Sequence, residues 1–151
     1  MDAGPMYLQV PYALDYTETK PELYNTLFSL GANLLVNKLP EIVSGELAPI
    51  PQEEKDATYC SLLSKEQGLL DLTTLTPGEA EAHIRAHLGF PRSRVKVGSY
   101  DLIVTKAHGV MTKQTPLDLK CSNGAFLSID EVIAPSGKTM SAAEFLRGHP
   151  L

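Results

Sequence analysis

Residues 94–110 read RVKVGSYDLIVTKAHGV, and the fold turns on how that run is taken. Apolar and polar side chains alternate on either side of Gly98-Ser99. The branched residues Val95, Val97, Ile103 and Val104 favour a pleated backbone, so the run predicts two strands joined by a tight turn. Residues 117–133, LDLKCSNGAFLSIDEVI, repeat the pattern around Asn123-Gly124, a pair suited to the left-handed backbone of a hairpin turn. Upstream, TPGEAEAHIRAHLGFP (76–91) predicts a helix: Thr76 caps it, Pro77 takes the first helical position, Glu79 completes a capping box, and Gly89 and Pro91 stop it. Downstream, SAAEFLRG (141–148) predicts a short helix with a box from Ser141 to Glu144 and Gly148 at its end. One helix, four or five strands and a terminal helical turn make an α+β domain built on a small OB-like open β-barrel.

The N-terminal part has another texture. TETKPELYNTLFSLGANLLVNKLPEIVSGE (17–46) opens with a capping box from Thr19 to Glu22, and Leu23, Leu27, Leu30, Leu34 and Leu35 recur at helical spacing. Pro40 is expected to end this helix or start a new turn, because proline lacks the N–H and clashes with the preceding turn; Gly45 closes the unit. A leucine stripe needs a surface to cover, and residues 1–18 supply at most two strands. GELAPIPQEEKDATY (45–59) has linker composition. The expected organisation is therefore 1–47 as the trailing edge of a domain whose body is absent, 48–58 as linker, and 59–151 as the barrel domain.

Composition sets bounds on function. With 43% hydrophobic and 21% charged residues among 151, the chain falls in the globular range. No apolar run approaches the roughly 20 residues that span a bilayer, and there is no apolar leader, so a cytoplasmic protein without membrane partners is expected. Cys60 and Cys121 lack the paired spacings of zinc or redox motifs and are expected as reduced thiols packed like small apolar groups. Of the net charge of -5, residues 1–59 hold three basic against nine acidic side chains, and residues 60–151 ten against nine. Such a chain is a poor bulk binder of nucleic acid, DNA included, though a local basic stripe still meets phosphates.

Few residue patterns carry chemistry. His83 and His87 share a helix face at a spacing that suits a metal, but no third ligand accompanies them, so no metal is expected. No nucleophile elbow and no phosphate-cradling glycine loop is present. Arg85, Arg92, Arg94 and Lys96 fall within twelve residues, with Lys106 and Lys138 able to join them in space. Guanidinium and ammonium groups on adjacent elements suit a phosphate backbone; the same spacing also describes a solvated rim.

Several stretches resemble the methionyl-tRNA formyltransferases. ATYCSLLSKEQGLLDL (57–72) is similar to the segment opening their C-terminal domain, and GELAPIPQEE (45–54) to their interdomain linker. IRAHLGFP (84–91) resembles their Ile-Arg-Ala segment, and APSGKTMSAAEFL (134–146) their ending. The resemblance implies transfer of a formyl group from 10-formyltetrahydrofolate to the amino group of initiator Met-tRNA. It also implies a C-terminal domain that binds tRNA, for which Arg85, Arg92, Arg94, Lys96, Lys106 and Lys138 are the candidates, and a helical remnant of a Rossmann-like catalytic domain. MDAGPM (1–6) is similar to the end of the family's catalytic loop, which places Asp2 on its catalytic aspartate. The family's partners to that aspartate, an Asn-x-His pair, and its folate loop are not in this sequence. Neither folate binding nor catalysis is therefore expected of this chain alone, and a missing N-terminal catalytic domain or a second copy is an expected partner.

Departures from the family pattern are local. Leu88-Gly89-Phe90-Pro91 stands for Asn-Pro-Trp-Pro, Leu72 for a common tryptophan, and the stretch between Val110 and Leu117 is short enough to imply a barrel lacking a strand or hairpin. Two rival readings are a sugar-nucleotide formyltransferase, against which MSAAEFL (140–146) argues, and a non-catalytic interaction protein binding through the Leu23–Leu35 face.

Overall fold

A computed structural model describes residues 3–149 and 151 and divides them into two units, Met1–Leu62 and Leu63–Leu151. In the first, helix α1 (Lys20–Ser44) starts where the sequence predicts: the Thr19 hydroxyl accepts from the Glu22 N–H while the Glu22 carboxylate accepts from the Thr19 N–H at 2.9 Å. It ends at Gly45 in the left-handed region, φ 81°, with the Gly45 N–H on the Ile42 carbonyl. Pro40 does not end it. The carbonyl that loses its N–H partner belongs to Val36, a residue 70% exposed, which lowers the cost of leaving it without an intrahelical donor. Met6 and Ile50 exchange two backbone hydrogen bonds of 2.8 Å, and Gln52 Nε2 donates to the Gly4 carbonyl at 2.7 Å. No described residue from 3 to 62 is buried. Cys60 is exposed rather than packed, because its stretch contributes nothing to a core; Cys121 is buried as expected.

The second unit is α+β. Strands β1 (Ser93–Val97) and β2 (Tyr100–Val110) form the first hairpin, with Val97 opposite Tyr100 and Ser93 opposite Val104. Beyond β2 lies β4 (Phe126–Ile133), whose far edge carries β3 (Asp118–Lys120) at one end and β5 (Thr139–Ser141) at the other. Every pairing is antiparallel, in the order β1-β2-β4-β3.

Burial follows the pleat and then steps. Leu102 and Val104 of β2 and Val132 of β4 point inward, as do Ala107, Leu127 and Ile129 past a register shift between Val104 and Ala107. The shift sets Thr105 and Lys106 against Asp130 and Glu131, moves the inward set from even to odd positions along β2, and so keeps one apolar face along both strands. Helix α2 (Pro77–His87) covers that face with Pro77, Ala80, Ile84 and His87, the i, i+3, i+4 stripe of an amphipathic helix. Burying Ile84 at 1% exposure contributes about 1.5–3 kcal/mol before entropy is counted. Gly109 allows the close approach: a Cβ there would lie 3.1 Å from Pro77 Cβ. Helix α3 (Ala142–Gly148) inserts Phe145, fully buried, against Tyr100 at a ring separation of 5.5 Å.

Candidate nucleic-acid interface

The basic residues singled out from sequence are spread over this sheet and partly neutralised. Arg85, in the last turn of α2, forks onto Glu81 one turn earlier, with Nε 2.7 Å from Oε1 and an η nitrogen 3.2 Å from Oε2. Arg92 sits between α2 and β1 in the left-handed region, φ 68°, its Nε donating to the Gly89 carbonyl at 3.2 Å. Arg94 of β1 donates to the Lys65 carbonyl at 3.1 Å and lies 3.7 Å from the Asp101 carboxylate. Lys96, two residues on, is exposed and opposite Asp101 in register.

Register puts Arg94, Ile103, Ile133 and Thr139 in one row across four strands, which brings Lys138, beside Thr139, towards the end of the sheet that holds Arg94 and Lys96. Lys106 stands apart, opposite Glu131, in a mixed-charge patch where the Thr105 hydroxyl donates to Glu131 at 2.6 Å and His108 Nδ1 lies 2.9 Å from Asp130. Arg94 and Lys96 thus share one outer strand, Lys138 lies at the same end of the sheet but on the far side of the four-strand row, and Arg85, Arg92 and Lys106 stand elsewhere. His83 and His87 meet edge to face at 5.3 Å, His87 is buried with Nδ1 3.4 Å from the Ser93 hydroxyl, and no metal-binding cluster occurs among the described residues. Asp2 lies outside the described residues.

A cavity of about 570 Å³ shows what the spacing missed. Leu69, Leu70, Leu72, Val95, Leu119 and Phe126 supply its apolar lining, and Lys96, Lys113 and Lys120 its cations. Lys113 and Lys120 were not among the sequence candidates, because they come from a loop and an edge strand distant in sequence from the arginine run. The loop is fixed by Asp118. Burial alone would push the Asp118 carboxyl up, but the Gln114 N–H (2.7 Å), the Ser128 hydroxyl (2.7 Å) and the Thr115 N–H (2.8 Å) and hydroxyl (2.9 Å) all donate to it and hold it down at about 2. The burial of Asp118, which marks this loop, is a property of the fold that no local sequence pattern states.

A capped helix laid on an antiparallel sheet, with a lysine-lined groove at the sheet edges, makes the second unit a domain of the α+β class. No family model matches the chain. It is 38% identical to the methionyl-tRNA formyltransferase of Geobacillus thermodenitrificans over 166 aligned residues, covering 98% of this chain and 50% of that protein. It is 32% identical to that of Myxococcus xanthus, covering 100% and 51%. The chain is thus a relative of the methionyl-tRNA formyltransferases along nearly its whole length, corresponding to their C-terminal part, and it spans about half the length of the curated relatives it matches. Among solved structures, two variants of HypX from Aquifex aeolicus share the fold, with TM-scores of 0.72 and 0.71 at 17% and 18% identity over 96% and 99% of this chain, and 28% and 30% of theirs.

Proposed function

We propose that this chain is the C-terminal portion of a methionyl-tRNA formyltransferase, a cytoplasmic translation enzyme, and that what it retains is contact with initiator tRNA. The observation that carries this is the 38% identity over 98% of the chain. Residues 1–47 are then the trailing part of a Rossmann-like catalytic domain, 48–58 the linker, and 59–151 an OB-like barrel presenting Arg94, Lys96 and Lys138 to the phosphate backbone, with Arg85, Arg92 and Lys106 as outlying contacts. Phosphate contacts of this kind position an RNA without reading its sequence.

The complete enzyme would move a formyl group from 10-formyltetrahydrofolate to the α-amine of Met-tRNA. Acyl transfer to an amine needs a base for the ammonium proton and a donor for the developing oxyanion. Asp2 supplies neither by itself; its role is to orient and charge-stabilise a histidine from the other half. The absence of buried residues from 3 to 62 supports the same reading, since α1 displays Tyr24, Phe28, Val36 and Val43 at 58–78% exposure, a face suited to the remainder of a catalytic domain. That exposed face also favours a second reading, a non-catalytic protein that pairs through α1 with another copy of itself.

Filter binding of initiator tRNA to the full chain across a salt series tests the proposal. Affinity should fall steeply with salt, and Lys96→Glu with Lys138→Glu should weaken it about tenfold or more. Failure to bind tRNA at low salt would overturn it, and a stable homodimer by light scattering would favour the second reading.

A further inference from the structure

Resting on the tRNA reading, we propose that the groove between β1 and β3 is a subsite for one unstacked nucleotide, its phosphate held by Lys113, Lys120 and Lys96 and its base laid against Phe126 and the leucines. β1 and β3 are the outer strands of the sheet order, yet both line the same cavity, so the sheet coils until its edges face each other. Between them runs the segment 69–73, tied to β1 by the Leu70 N–H on the Arg94 carbonyl at 2.9 Å. A volume of about 570 Å³ lies within the range of small-molecule sites.

The lining asks for two chemistries at once. Leu69 is exposed at 53%, and Leu72 and Phe126 are only partly covered, so apolar surface stands open beside three ammonium groups. None of Lys96, Lys113 and Lys120 forms an ion pair with a described residue. Both carboxylates of the groove are already engaged: Asp118 by its four donors, Asp71 by the Thr73 hydroxyl at 2.6 Å and N–H at 3.0 Å. Those neutral donors hold the two carboxylates away from the ammonium groups without removing their charge, so three cations against two anions leave the groove a net positive site for an anion from solution. A nucleotide joins a phosphate to a flat apolar ring, and aromatic surface beside a cationic track is how single-stranded nucleic acid is held. A base within a duplex offers no free face, so the ligand is an unpaired residue of the tRNA or a free mononucleotide, which share this chemistry.

The test is an NMR titration of the isotope-labelled full chain with adenosine 5′-monophosphate, a single-stranded trinucleotide RNA and initiator tRNA, with inorganic phosphate as control. Amide shifts should centre on 69–73, 113–120 and 126. Lys113→Ala with Lys120→Ala should weaken the mononucleotide about tenfold and reduce the salt slope for the trinucleotide by about one to one and a half. Phe126→Leu should weaken the mononucleotide but not phosphate; unchanged unfolding midpoints would show that the variants are folded. Shifts elsewhere, or equal affinity of the lysine double variant, would overturn the subsite. If initiator tRNA binds while the groove variants change nothing, the subsite fails and the tRNA reading stands. If tRNA does not bind but the mononucleotide fills the groove, the tRNA reading fails and the ligand is a free nucleotide.

Discussion

Gly68 tolerates no side chain. It is buried in a tight turn, Glu66–Gly68, and a Cβ there would overlap the carbonyl oxygen of Arg92. Gly68→Ala should therefore destabilise the second unit by about 2 kcal/mol or more, as overpacking against backbone does, whereas Gly78→Ala, with open space around it, should be neutral or mildly stabilising; urea unfolding separates the two. Asp118 is the other decisive residue. Its folded carboxyl sits at about 2, below the ordinary value of 3.8, so it contributes stability that is fully present above about pH 4 and lost as the pH falls towards 2. Asp118→Asn should cost on the order of 1–2 kcal/mol at neutral pH, and the gap from the native chain should close near pH 2. A flat difference across that window would contradict the four-donor account. The three capping boxes, Thr19–Glu22, Thr76–Glu79 and Ser141–Glu144, were legible in the sequence because both partners lie on one helical turn. The Asp118 cluster was not, since Ser128 reaches it across a strand pair whose register no local pattern states.

Among the elements, α1 and β2 are opposites. β2 pairs with β1 over residues 100–104 and with β4 over 103–110 and is capped by α2, so the amides it commits to those ladders should exchange only on global unfolding; α1 buries no residue and should exchange through local opening. Hydrogen exchange should show residues 20–44 losing protection orders of magnitude sooner than 100–110, and equal protection would mean that α1 is covered in solution. The two hairpins and α2 were readable from alternation and caps because each is a short-range device. The step at Thr105-Lys106 was not: it depends on β4 carrying a matching irregularity at Asp130-Glu131. The helix also ran through Pro40, where the proline rule expected an end or a new turn, at a position where the carbonyl that loses its donor belongs to an exposed residue, Val36.

At the scale of the whole molecule, charge and coverage decide what the chain does. Its net charge of -5 is concentrated in residues 1–59, so the proposed RNA contact falls to the near-neutral remainder, where Arg94, Lys96 and Lys138 share one end of the sheet. The groove escaped a reading by sequence distance because its three lysines meet only when the sheet coils. The central claim, that this is part of a formyltransferase, is most directly tested by mixing the chain with the N-terminal half of the Geobacillus thermodenitrificans enzyme, supplying 10-formyltetrahydrofolate and initiator Met-tRNA, and measuring formylated Met-tRNA. The account predicts product only from the mixture, with neither half active alone and Asp2→Asn reducing the rate about 100-fold or more. No product from the mixture, or full activity with Asp2→Asn, would contradict it.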